Sequence, residues 1–150
     1  MISVIIPTHD SAQTLPDLLA DLVPAAVDGI VREVIAADAG STDATPAICD
    51  DAGVSLILGG ILTAAATAKG DRLLILPVNM ALPADWRRSL HAYVAGAGDP
   101  QRLRGPRPAG MTGWIAPRLA GLLVHREVLS SQTETRDITA LIRALGVSRV

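Results

Sequence analysis

An α/β domain built on one parallel sheet is the fold this sequence predicts, and three features predict it. Hydrophobic residues make up 49% of the chain against 19% charged, a balance that suits a packed core and excludes a disordered chain. The apolar runs are short and rich in Val and Ile, as strands buried on both faces are. They alternate with stretches of helical period, an order that points to strand–helix–strand units with right-handed crossovers. The length of 150 residues suits one domain and excludes a large multidomain enzyme. With 2 Trp, 1 Tyr and no Phe, the core must be built from Leu, Val, Ile and Ala.

Each element follows from its residues. Ile2–Pro7 is a continuous β-branched run and the first strand. Thr14-Leu-Pro-Asp17 reads as a helix start, with Pro in the first turn and an acid three residues after the cap. Leu15, Leu18, Leu19, Leu22 and Val23 then form one apolar stripe. Val31–Ala37 is a second strand, and a helix through Pro46, Ala47 and Ile48 ends at Gly53, a natural left-handed cap. Val54–Leu58 is a third strand, Ile61–Ala68 a short helix closed by Gly70, and Arg72–Leu76 a fourth strand. Pro83-Ala-Asp-Trp86 opens a helix with Trp86, Leu90, Tyr93 and Val94 on one face. Gly96 to Gly113, rich in Gly, Pro and Arg, reads as a long loop. Gly121–His125 reads as a returning strand that would make the sheet edge mixed, and Thr135–Leu145 as a last helix ended by Gly146.

The formal net charge of -2 hides a split. Up to Asp71 there are ten acids and two bases; from Arg72 onward there are eleven bases and five acids. A basic half invites anionic partners: phosphates, nucleic acid or an acidic membrane surface. Nucleic acid is disfavoured, because the bases are scattered and aromatic residues for stacking are almost absent. The single Cys49 gives neither an internal disulfide nor metal-ligand spacing, and His9, His91 and His125 are far apart. The start lacks a basic secretory n-region, and the longest uncharged run, Ala52 to Ala68, falls short of the ~20 residues that span a bilayer. A cytoplasmic protein with no transmembrane segment, open to peripheral membrane contact, is expected.

In an open parallel sheet, ligands sit beyond the carboxyl ends of the strands. After the first strand those positions hold Pro7, Thr8, His9 and Asp10; after the second they hold Asp38, Gly40, Ser41, Thr42 and Asp43. Ser3-Val-Ile-Ile-Pro-Thr-His-Asp10 followed by Asp38-Ala-Gly-Ser-Thr-Asp43 resembles the opening of a family 2 glycosyltransferase. The resemblance is clear to about Val54, fair through Lys69–Pro77 and Leu82–Trp86, and faint at Gly121–Glu127 and Ala140–Gly146. It implies a reduced GT-A fold that binds a UDP- or GDP-type nucleotide-sugar. Residues 1–95 would be the nucleotide-binding half, 96–113 a loop and 114–150 a compressed acceptor-side half. By position, Asp38 resembles the family's base- or ribose-reading acid, with Thr8 and His9 beside it. The plainer reading is that Asp38 caps the following helix. Asp43 is assigned to capping and Gly40 to the turn itself.

The second half departs from the family pattern. At the end of the fourth strand the family places an Asp-x-Asp pair that holds Mg2+ or Mn2+, which neutralises the departing diphosphate. Here that place reads Pro77-Val-Asn-Met-Ala81; its one polar side chain, Asn79, is assigned to the nucleotide-binding set with Pro7, Thr8, His9, Asp10 and Asp38, and no metal ligand is assigned. Near the end, the positions of the family's catalytic base hold Glu134 and Thr135, with Asp137 two residues on. Glu134 or Asp137 can serve as that base, or be an exposed acid in the first turn of the last helix. Arg102, Arg104 and Arg107 either grip a diphosphate without metal or lie on a solvated loop. Two functions follow: sugar transfer from a nucleotide donor to an unknown acceptor, or a catalytically inactive nucleotide-binding or scaffold protein derived from such an enzyme.

Overall fold

In the computed structural model, which describes residues 1–107 and 118–147, six strands form one sheet. The strands are β1 (Ile2–Thr8), β2 (Val31–Asp38), β3 (Ser55–Leu58), β4 (Arg72–Ile75), β5 (Gln101–Arg104) and β6 (Ala120–His125). The helices are α1 (Leu15–Val27), α2 (Thr45–Ala52), α3 (Ile61–Thr67), α4 (Trp86–Ala95), α5 (Arg126–Leu129) and α6 (Ile138–Ala144). The strand order is β3-β2-β1-β4-β6-β5. The first four strands pair in parallel, while β6 pairs antiparallel with both β4 and β5.

Strand periodicity explains the two cores. Successive side chains point to opposite faces, so a strand covered on both sides must be apolar throughout. In β1, Ile2, Val4 and Ile6 pack into one cluster with Leu15, Leu18 and Leu22 of α1 and with Trp86, Leu90 and Tyr93 of α4. Ile5 faces the other way, into a cluster with Ile61 and Ala64 of α3 and Ile138 and Leu141 of α6. β4 divides likewise, Leu74 joining the first cluster and Leu73 and Ile75 the second. Each fully buried aliphatic side chain stabilises the fold by roughly 1.5–3 kcal/mol of transfer free energy.

The expected helix and strand cores are present, and several details differ. Thr14 precedes α1 but makes no side-chain capping bond; its hydroxyl donates to the Ser11 carbonyl instead. Gly53 ends α2 in the left-handed region, φ 72°, as expected. Gly70 is not a helix cap: α3 ends at Ala68 in extended backbone, and a Cβ at Gly70 would stand 2.8 Å from the buried Ser3 hydroxyl. The segment read as a loop over 96–113 contains β5, whose buried Leu103 lies between the half-buried Arg102 and Arg104. Residues 108–113 of that segment, and Trp114, lie outside the described residues. Among the described residues no helix is long and apolar enough to cross a membrane.

Candidate functional site

The loops that follow β1 and β2 are bound to each other. Asp10 adopts a positive φ of 45°, which an Asp tolerates better than most residues. Its Oδ1 accepts from the backbone amides of Thr42 (2.8 Å) and Asp43 (3.3 Å), and its own amide donates to Ser41 Oγ at 2.9 Å. Asp43 returns the contact, accepting from the Ala12 amide at 3.1 Å while its Oδ1 accepts from the Thr45 amide and hydroxyl at the start of α2. Asp43 thus holds the first residue of α2, although the N-cap position itself is Ala44 and carries no side-chain cap. His9 stands exposed beside this seam, its Nε2 3.7 Å from Asp10 Oδ2.

Asp38 holds the seam from below. It is 2% exposed, as is Thr8. Oδ1 accepts from Thr8 Oγ1 (2.7 Å) and Ser41 Oγ (2.6 Å); Oδ2 accepts from the amides of Gly40 (3.0 Å) and Ser41 (2.7 Å). Burial pushes this carboxyl upward, but the bonds from Ser41, Thr8 and Gly40 outweigh it and hold Asp38 below the ordinary value of 3.8. Gly40 closes the turn at φ +94°, a conformation that favours glycine. Asp38 thus caps its own turn rather than α2. Four donors occupy its acceptor sites, which corrects the expectation of a carboxylate open to a nucleobase.

A separate cleft of about 400 Å³ opens between the ends of β1, β4 and β6 and the start of α6. Pro7, Asn79 and Asp137 line it, together with Arg102, Arg118 and Arg136. Three of the expected site residues therefore meet here, whereas Thr8, His9, Asp10 and Asp38 form the neighbouring seam. Arg136 links the two places: Nη1 donates to the Ala37 carbonyl at 3.0 Å and Nη2 to the Gly59 carbonyl. Asp137 caps α6, its Oδ1 accepting from the Thr139 amide at 2.8 Å. Its other oxygen has no donor among the described residues, so it keeps acceptor capacity toward the cleft.

Glu134 is placed differently. Its Oε1 accepts from the Leu62 amide (2.9 Å) and the Thr135 amide (3.1 Å), and its Oε2 from the Thr63 amide (2.9 Å) and the Thr63 hydroxyl. Burial raises its pKa, but these bonds prevail and hold it below the ordinary 4.5. A carboxylate so occupied, and so reluctant to take a proton, is ill suited to act as a base. The structure corrects that candidacy: Glu134 caps α3 from across the chain.

The donor set does not fit a divalent metal. Among the described residues no group of three His, Cys, Asp or Glu side chains is placed to hold one. The turn after β4 offers only the neutral amide of Asn79, and three guanidinium groups share its cleft. Among the described residues no ring is open for stacking, because Trp86 and Tyr93 are buried at 8% and 0% exposure. The sequence reading missed Arg118 and Arg136. It left Arg102 open between gripping a diphosphate and lying on a solvated loop, and gave no strand there, although the alternation Gln101-Arg102-Leu103-Arg104 is itself a strand signal.

Residues 3–76 match the family model described as Glycosyl transferase family 2. That match ends one residue before Pro77-Val-Asn79, where the metal-holding acids were expected. No curated protein sequence matches the chain. Among solved structures, glucosyl-3-phosphoglycerate synthase from Mycobacterium tuberculosis, in complex with Mn2+, UDP and glucosyl-3-phosphoglycerate, is similar with TM-score 0.68 at 19% identity. That likeness covers 98% of this chain and 67% of the other. Mannosyl-3-phosphoglycerate synthase from Rubrobacter xylanophilus gives TM-score 0.63 at 14% identity, covering 86% of this chain and 55% of that one. TarS from S. aureus gives 0.51 at 21% identity, covering 67% of this chain and 34% of that one. This chain thus spans between about a third and two thirds of the structures it resembles. At these identities the likeness establishes the GT-A arrangement of sheet and helices. Residues 3–76, just under half of the chain, thus match glycosyl transferase family 2, and the mixed sheet they begin has the GT-A arrangement.

Proposed function

We propose that this chain binds a nucleotide-sugar of UDP or GDP type and serves transfer of its sugar to an acceptor hydroxyl. The observation that carries this reading is the meeting of Pro7, Asn79 and Asp137 around one cleft at the carboxyl ends of β1 and β4. The M. tuberculosis neighbour, solved with UDP and Mn2+, supports the nucleotide part of it. The seam of Thr8, Asp10 and Asp38 positions the nucleotide side by fixing the loops, with His9 and Pro7 on its accessible surface. Among the described residues Asp137 is the one acid lining the cleft, so it is the base of this proposal. In the reaction, the acceptor oxygen bonds to the anomeric carbon while the bond from that carbon to the phosphate oxygen breaks. The nucleoside diphosphate leaves with the electron pair, and the acceptor proton passes to Asp137.

A second reading has its own support: Asn79 and the lack of a carboxylate set suit a protein that binds nucleotide without transferring sugar. Release of UDP or GDP from a panel of nucleotide-sugars, with and without sugar-phosphate and polyol acceptors, separates the two. Transfer predicts release that Asp137→Asn lowers by about 100-fold while donor affinity is kept. Binding of UDP or GDP without release from any donor would establish the second reading. Failure of both nucleotides to bind would end both.

A further inference from the structure

Beyond the cleft around Asn79, a second cavity of about 650 Å³ runs along β5 and α6. Arg102 and Arg118 line both cavities, Arg136 the first, and Arg104 and Arg143 the second, so the two form one groove lined by five arginines, of which Arg136 already donates both Nη groups to the Ala37 and Gly59 carbonyls. Among the described residues Asp137 is the only acid on either wall. Among the described residues none of the five pairs with a carboxylate; the arginines that do are Arg87, with Asp28, and Arg126, with Asp71. The Nε of Arg102 is buried and lacks a hydrogen-bond partner among the described residues. The sequence between β5 and β6 cannot neutralise the groove, since no Asp or Glu occurs between Asp99 and Glu127.

Such a set of charges is costly to assemble without a counter-ion. Guanidinium groups present paired N–H donors that match the oxygens of a phosphate, and low-dielectric walls strengthen the attraction. The same field repels a divalent cation from Asn79, where the donor set is already inadequate. We propose that this groove binds phosphate groups directly and without a divalent metal, its arginines lying beside the turn after β4 that holds Asn79 in place of acids. The ligand is a phosphate ester: either the diphosphate of the nucleotide donor or the phosphate of a phosphorylated acceptor. The proposal deepens the nucleotide-sugar reading, yet the chemistry of the groove requires only the phosphate.

Isothermal titration of the full chain with pyrophosphate, UDP, uridine and glycerol 3-phosphate tests it, each in EDTA and again in Mn2+. The expected result is binding of pyrophosphate in EDTA, no more than about twofold tighter in Mn2+, and weakened at least tenfold by Arg102→Gln/Arg118→Gln. Arg118→Gln/Arg143→Gln, which leaves the half-buried Arg102 in place, should weaken it as well and guards against misfolding of the first variant. UDP bound in EDTA assigns the groove to the donor. Glycerol 3-phosphate bound while UDP is not assigns it to a phosphorylated acceptor, a result that supports the groove and contradicts the nucleotide reading. UDP bound only in Mn2+, with no pyrophosphate binding in EDTA, would overturn the groove and leave the nucleotide reading standing. Binding equal in wild type and both folded variants would overturn it too.

Discussion

At one end of the sheet, two neighbouring regions handle charge in opposite ways. In the seam between the β1 and β2 loops, the carboxylates of Asp10, Asp38 and Asp43 each accept from donors in the chain's own loops. In the groove along β6, β5 and α6, five arginines face an interior with one acid among the described residues. The seam contains the motifs by which the family is recognised, and there the acids hold loop shape. The groove carries the charge that can still act on a ligand. A motif can therefore mark descent while, on the proposal made above, phosphate binding falls to residues outside it.

Substitutions can break this contrast, and the largest effect is expected at Asp38. Asp38→Ala strands the Thr8 and Ser41 hydroxyls and two amides, and should cost about 3 kcal/mol in urea unfolding. Gly60→Ala comes next. Its Cβ would overlap Glu134 Oε1 and lie 2.8 Å from the Thr135 carbonyl, evicting the α3 cap at about 2 kcal/mol. Glu134→Gln keeps the shape and should cost about 1 kcal/mol, with no change in nucleotide affinity.

Acid should separate the regions further. Asp38 and Glu134 have folded pKa values below their ordinary 3.8 and 4.5, so the unfolded chain takes up their protons first. Their stabilisation is complete above those ordinary values and is lost as pH falls through the lower folded ones. Denaturation midpoints should fall from about pH 5 downward, and Glu134→Gln should flatten that fall. The smallest effect is expected at Arg118. Removing one of several like charges there should change stability by less than about 0.5 kcal/mol, favourably at low salt. A loss of more than 2 kcal/mol at Arg118 would make the groove structural and erase the contrast.

Much of the fold was legible because its signals are local. The β-branched run of Ile2–Pro7, the apolar stripe of Leu15, Leu18 and Leu22, and Gly53 after α2 each act within a few residues. Signals that act across the chain were not legible. Thr8 bonds to Asp38 thirty positions away, and Glu134 caps a helix 71 and 72 positions earlier. Both acids therefore looked available for ligands when their partners were set by tertiary structure. Asp137 reads in sequence as lying inside the first turn of a helix starting at Thr135; the helix starts at Ile138, and Asp137 caps it through the Thr139 amide. Arg136 was not legible, since its role depends on the carbonyls of Ala37 and Gly59. The brevity of β5 and its setting among Gly, Pro and Arg hid the strand that carries Arg102 and Arg104.

The most direct measurement is an NMR titration of the 15N-labelled chain with UDP in EDTA, following backbone amides and arginine Nε–H signals together. The account predicts that Arg102, Arg118 and Arg136 Nε signals and the Asn79 and Thr139 amides move in concert, while the Leu62 and Thr63 amides under Glu134 stay fixed. Shifts that appear only after Mn2+ is added, or that leave the arginine signals unmoved, would contradict it.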